Sequence, residues 1–299
     1  MLNDFPLKWD KFIVNFIDKG GYKQVLAGLE NTITVAVLGL IIGMVIGCII
    51  AIICVMPKYP VLPHRMQNAY DRFLGMFPKN VLLRIVTFYY LFYVIMWVLQ
   101  RIPKVLQKIC SLYVALFRGT PVMVQLLLGY FVLFPAITGA IKAAFPELEP
   151  AIKEFFPKFQ LNVTAVNASI IIFGLNSGAY VSEIMRGGIN SVDPGQLEAA
   201  RAVGFSYSSS MLRIVVPQAI KNILPTLGNE FIALIKETSI IGYAGALDLV
   251  FAFKQIGTST YEYTVPYIVL SVIYIALVVV ITVALKIMER WLSRSDRRH

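Results

Sequence analysis

Residues Ile33–Met56 read ITVAVLGLIIGMVIGCIIAIICVM, a run without a single charged side chain. A helix needs about 20 mostly apolar residues to cross the hydrocarbon core of a bilayer, and this stretch is long enough. Further apolar blocks follow at Leu82–Gln100, Val122–Ala144, Val163–Met185, Ala219–Ile241 and Val265–Met288. Of 299 residues, 58% are hydrophobic and 15% charged, against roughly 25% charged in a soluble domain. Buried helices of a large soluble protein would need a polar shell that this composition does not supply. The fold class read from the sequence is an all-α integral membrane protein.

Composition also narrows the chemistry. Cys48, Cys54 and Cys110 are odd in number, and the first two fall within an expected span, so they read as small packing residues rather than a disulfide framework. His64 and His299 are the only histidines, too few to build a histidine metal centre, and no metal site is expected. The first thirty residues lack the short apolar run and small-residue cleavage site of a signal peptide. Trp9–Tyr22 reads instead as an amphipathic segment at the interface. The net charge of +10 has a source in topology and does not call for nucleic acid.

Five helices are expected to cross, near 29–56, 120–141, 162–185, 218–241 and 265–288. One side then holds the loops 57–118 and 186–217 and the C-terminal tail, which together carry the larger share of Lys and Arg. Cytoplasmic loops collect positive charge, so the N-terminus is expected outside and the C-terminus inside. The block Phe88–Leu99 (FYYLFYVIMWVL) resists this scheme, because it is apolar on every face. It can lie in the interface, or cross and return through Val105–Phe117, or the scheme fails; a membrane-associated helical insertion that leaves parity unchanged is the expectation carried forward. The domain division is an N-terminal interfacial segment (1–28), a transmembrane domain (29–290) with an insertion at about 57–105 and a cytoplasmic loop at 187–217, and a cytoplasmic tail (291–299).

The most informative loop stretch is DPGQLEAARAVG, Asp193–Gly204. Asp193 suits an N-cap, Pro194 the first helical position, and Gln196 the place where a capping box puts its Glu or Gln. Gly204 suits a left-handed stop. Glu198, Ala199 and Ala200 lie between, with two side chains small enough to let another surface approach. A capped connector and a docking helix fit this stretch equally well.

Glu198-Ala199-Ala200, then Gly204, then Ile214, Val216 and Pro217 resemble the EAA loop of ATP-binding-cassette (ABC) importer permeases, with Val216 where that family has Leu. The resemblance implies a coupling helix that docks on the ATPase subunit through Gln196, Glu198, Ala199 and Ala200, with Gly204 and Pro217 shaping the loop. Phe117-Arg118-Gly119-Thr120-Pro121 with Gln125, the NSGAY stretch Asn176–Tyr180 with Glu183 and Arg186-Gly187-Gly188-Ile189, and Ile235-Lys236-Glu237-Thr238-Ser239 resemble segments of the polar amino acid uptake branch. The implied fold is that of a type I ABC importer permease. The implied function is a transmembrane permease subunit of an ABC importer that forms the translocation pathway for polar amino acids. The implied setting is multi-pass in the bacterial plasma (inner) membrane.

Charged groups at membrane depth are costly and face cavities or partners. The substrate-pathway candidates are Gln125, Asn176, Ser177, Tyr180, Glu183, Glu230, Lys236, Glu237, Thr238 and Ser239. Glu230 and Glu237 lie seven residues apart, on one helix face. Such a set offers donors for a carboxylate and acceptors for an ammonium, although small and hydroxyl residues such as Ser177 also serve as interhelical packing. No G-x-x-x-x-G-K-[ST] phosphate loop occurs. The expected cofactors are therefore none in this chain, with ATP and Mg bound by a separate nucleotide-binding ATPase subunit. The other expected partners are a second permease chain, identical or distinct, an extracellular or periplasmic amino-acid-binding protein, and membrane lipid. The rival readings are an ion-coupled secondary transporter or channel, and a membrane-embedded enzyme, for which the intramembrane nucleophile or metal ligands are missing.

Overall fold

The computed structural model describes residues 4–55, 102–155 and 163–294. The block Phe88–Leu99 and the end of the tail lie outside the described residues. Among the described residues there is no strand.

A short helix, α1 (Phe5–Ile13), ends in a wide turn, and Gly20 at φ 73° starts α2 (Gly21–Val55). At 1.5 Å per residue α2 spans about 52 Å, well beyond the ~30 Å apolar core. It therefore begins before the expected span at 29, and its first turns serve tertiary packing. Helix α3 (102–119) follows the undescribed stretch. Then come α4 (Val122–Ala144), α5 (Leu148–Phe155), α6 (Ala165–Asn190) and the short α7 (Pro194–Ala202). Helix α8 (Tyr207–Ala244) has its main body at Val216–Glu237 and tightens into a 3-10 turn after it. It meets α9 (Leu249–Thr260) at a 53° bend, and α10 (Thr264–Arg294) closes the chain. By length and composition α2, α4, α6 and α10 each suffice to cross a membrane, and the bent α8–α9 pair makes a fifth.

The fold is organised around the α2–α6 seam. Gly39, Gly43 and Gly47 repeat every fourth residue along one face of α2, as Gly174 and Gly178 do on α6. A Cβ at Gly43 would lie 2.7 Å from Ser177 Oγ, and one at Gly174 would lie 2.6 Å from Ile42 Cγ2. Small residues of this kind let two backbones approach where lipid offers no hydrophobic drive for association. Above the seam, Val35, Ala36, Leu126, Ile172, Phe173, Leu234, Ile235 and Ile241 form the main core.

The connection 242–264, left between the expected spans 218–241 and 265–288, is largely helical. Helix α9 occupies most of it, capped by Asp248, whose carboxylate accepts from the Phe251 and Val250 amides. Leu249, Phe253 and Ile256 of α9 are buried with Phe12, Val25 and Val265. The N-terminal segment thus packs on protein along one face, through Phe12, while Leu7 and Trp9 stay exposed.

The start of the second span also differs. Thr120-Pro121 reads as a helix opening at the membrane edge, yet Asn176, near the middle of α6, donates to the Phe117 carbonyl at 3.1 Å. Lower down, Gln107 donates to the Ile53 carbonyl and the Tyr113 hydroxyl donates to Leu175 O. Helix α3 therefore climbs beside the end of α2 to the midpoint of α6, and Thr120-Pro121 is a break inside the membrane. Irregular backbone is tolerated at that depth only where protein or a cavity surrounds it.

Candidate functional site

The loop at 187–217 forms the helix that its sequence marks. Asp193 Oδ1 accepts from the Gly195 amide at 2.8 Å. At the other end Gly204 adopts φ 96°, and the Phe205 amide reaches the Ala200 carbonyl at 3.1 Å. That six-to-one bond, with Gly204 N–H to Arg201 O, is a Schellman stop. The capping-box role expected of Gln196 is not what its side chain does: its Oε1 lies 3.5 Å from Gln218 Nε2 on α8. Asn222 of α8 also donates to Ser191 Oγ at 2.8 Å, so two amide contacts brace the loop against α8.

The two alanines diverge. Glu198 and Ala199 are exposed, whereas Ala200 is buried against the chain's own body. The pair therefore cannot present both side chains to a partner. Instead Val203 (76% exposed), Phe205 and Leu212 (70%) extend the open face, an apolar surface that sequence reading passed over. Pro217 sits in the first turn of the main body of α8.

The second site is the cavity beside the mid-membrane break, about 500 Å³ and lined by Arg118, Thr120, Asn176, Tyr180, Glu237 and neighbours. Its wall is a closed amide network. Gln125 Nε2 donates to the Phe117 carbonyl (2.8 Å), the Thr120 carbonyl (2.9 Å) and Thr120 Oγ1 (2.8 Å). Gln125 Oε1 accepts from Asn176 Nδ2 at 3.0 Å. The last carbonyls of a helix have no intrahelical partner, and this side chain supplies one. Thr120 does not cap α4; its hydroxyl donates back to Leu116 O.

The other candidates separate by direction. Ser177 Oγ donates to Glu230 Oε1 at 3.0 Å, tying α6 to α8. Thr238 is buried and donates to Ile235 O, so it faces packing rather than the cavity. Lys236 and Ser239 line a different, mostly apolar groove against Tyr274, Ile275 and Val278 of α10. Glu183 forms an ion pair with Arg118 and a second contact, at 3.8 Å, with Arg186. The Arg118 guanidinium also stands 5.2 Å from the centre of the Tyr180 ring. Arg118 was not among the sequence-derived pathway residues. Its charge counted only toward loop asymmetry, and nothing local reveals that FRGTP lies at mid-depth. Among the described residues no cluster of three His, Cys, Asp or Glu comes together.

Comparison with known proteins agrees with this architecture. The chain is 40% identical over 187 residues to the putative glutamine transport system permease protein GlnP of Rickettsia bellii, covering 62% of this chain and 76% of that protein. It is 39% identical over 188 residues to the arginine transport system permease protein ArtQ of Bacillus subtilis, covering 63% and 76%. A crystal structure of an amino acid ABC transporter with histidines superposes with a TM-score of 0.61 at 30% identity, covering 92% of this chain and 97% of that one. Residues 92–294 match the family described as binding-protein-dependent transport system inner membrane component, and that match takes in more than half of the chain. The protein belongs to that family and is a permease subunit of an ABC transporter, not an enzyme, with ATP hydrolysed by a separate subunit.

Proposed function

We propose that this chain forms half of the pathway of a bacterial plasma-membrane importer for polar amino acids. The observation that carries the substrate class is the mid-membrane cavity, where Arg118 and Glu237 bring opposite charges to one space with Asn176 and Tyr180. A zwitterion needs an anion site and a cation site, and a water-poor surround strengthens both. The names of the relatives, glutamine and arginine permeases, support the same class. In this reading the open face of α7 and the turn after it, with Glu198, Ala199, Val203 and Phe205, docks the ATPase, which holds ATP and Mg. A second permease chain completes the pathway, and an extracytoplasmic binding protein delivers the substrate.

The test is reconstitution of the permease with its ATPase and binding protein in liposomes. ATP-dependent uptake of radiolabelled L-glutamine, L-arginine or L-cystine, but not L-leucine, is expected. Glu198→Lys should release the ATPase on gel filtration and abolish uptake. Uptake that follows an ion gradient without ATP, or an altered complex that stays intact and active, overturns the reading.

A further inference from the structure

We propose that Glu183 acts as an internal competitor for the substrate carboxylate, passing between Arg118 and Arg186 as substrate leaves the mid-membrane cavity toward the cytoplasm. This rests on the amino acid reading above. Arg118 lines that cavity, its side chain 40% exposed, while it pairs with Glu183. Glu183 and Arg186 line a second, smaller cavity of about 180 Å³ on the cytoplasmic side, with Ile50, Cys54 and Cys110. Arg118 lines the first cavity and Glu183 the second, so their ion pair joins the two linings. Glu183 is the carboxylate in ion-pair contact with both arginines, and Arg186, at 3.8 Å, is the looser partner.

A guanidinium presents five N–H donors in a planar fork suited to a carboxylate. Tyr180 holds the Arg118 plane in place by its ring. With the cavity empty, Glu183 satisfies this fork. When a substrate carboxylate occupies it, Glu183 keeps a cationic neighbour in Arg186 and is not left unpaired, which would be costly at this depth. Return of Glu183 to Arg118 then displaces the substrate. Glu183 is thus a positioning residue for release, and Arg118 the specificity group for the carboxylate.

The experiment measures equilibrium binding of L-arginine and L-glutamine, and of their α-carboxamides, to the solubilised permease–ATPase complex, together with turnover in liposomes. Arg118→Lys replaces the fork by a point charge and should weaken binding of the amino acids about tenfold while leaving the carboxamides unchanged. Glu183→Gln removes the competitor: amino acids should bind more tightly and turn over more slowly, carboxamides should be unaffected, and Glu183→Asp should restore turnover. Equal effects on amino acids and carboxamides, or faster turnover in Glu183→Gln, overturn the hand-off. Wild-type protein that neither binds nor carries the amino acids sinks the substrate class itself, a distinguishable failure.

Discussion

Replacing Gln125 by Met tests whether the mid-membrane break is held by one side chain. Met keeps the length and apolar stem and removes both ends of the amide. The change deletes the contacts to the Phe117 carbonyl, the Thr120 carbonyl, Thr120 Oγ1 and Asn176. Hydrogen bonds between membrane helices average about 0.6 kcal/mol each, with a maximum near 1.7. A polar group left buried without a partner costs about 1–3 kcal/mol; here the Thr120 carbonyl loses the donor Gln125 gives it, whereas the Phe117 carbonyl keeps Asn176. The sum is about 1–3 kcal/mol, dominated by the Thr120 carbonyl rather than by the pair with Asn176. For a chain of 299 residues that corresponds to a fall in Tm of about 2–5 °C, read by thermal melting of the solubilised complex. Gln125→Glu should be worse than Met, because it keeps the acceptor for Asn176 but points a carboxylate at the carbonyl oxygens. A cycle with Asn176→Ala should return a coupling of only about 0.6–1.7 kcal/mol. A Met variant melting within about 1 °C of wild type, with Glu no worse, would show that the break is not held this way.

Three other outcomes follow from single positions. A Cβ at Gly47 would meet Val181 Cγ1 at 2.6 Å and the Ser182 amide nitrogen at 2.8 Å, so Gly47→Val should cost about 1–3 kcal/mol or more by overpacking; unchanged melting would mean a loose seam. Tyr261 sits at φ 51° and is 90% exposed, so Tyr261→Gly should relieve about 1 kcal/mol of left-handed strain without loss of packing; a lower Tm contradicts this. Hydrogen bonds from Thr264, and then Lys8 at 3.2 Å, hold the Glu262 carboxyl below its ordinary value. A depressed folded pKa stabilises fully above the unfolded value, about 4.3, and the gain is lost as pH falls through the folded pKa. The Tm difference between wild type and Glu262→Gln should therefore stay constant from neutral pH down to about 4.3 and shrink below it; a difference that grows in acid reverses the sign of the argument.

The long elements were legible because their signal is a length of apolar sequence, which lipid demands wherever the chain crosses. The α7 caps were legible because capping is local: Asp193, Pro194 and Gly204 act within a few residues of themselves. Depth was not legible. Thr120-Pro121 carries the same local signature at a membrane edge and at a break in mid-membrane. Long-range contacts such as Asn176–Phe117, across 59 residues, tell them apart. Direction failed for a similar reason at Lys236, Glu237, Thr238 and Ser239. Consecutive helical residues point about 100° apart, so one motif divides among a groove, a cavity and the core. Helix α9 was missed although Asp248 before an apolar run was a readable start.

The glycine ladder of α2 has a mechanical corollary. Gly39, Gly43 and Gly47 are spaced like teeth, and each intervening residue carries a β-carbon that cannot stand where a glycine stands. The two helices therefore cannot creep past each other by fractions of a turn. Any slip would have to jump a whole tooth, four residues or about 6 Å along the axis, and would open every notch on the way. α2 and α6 should thus behave as a single indexed strut during the transport cycle, leaving the hinging to the kinked and interrupted helices around them.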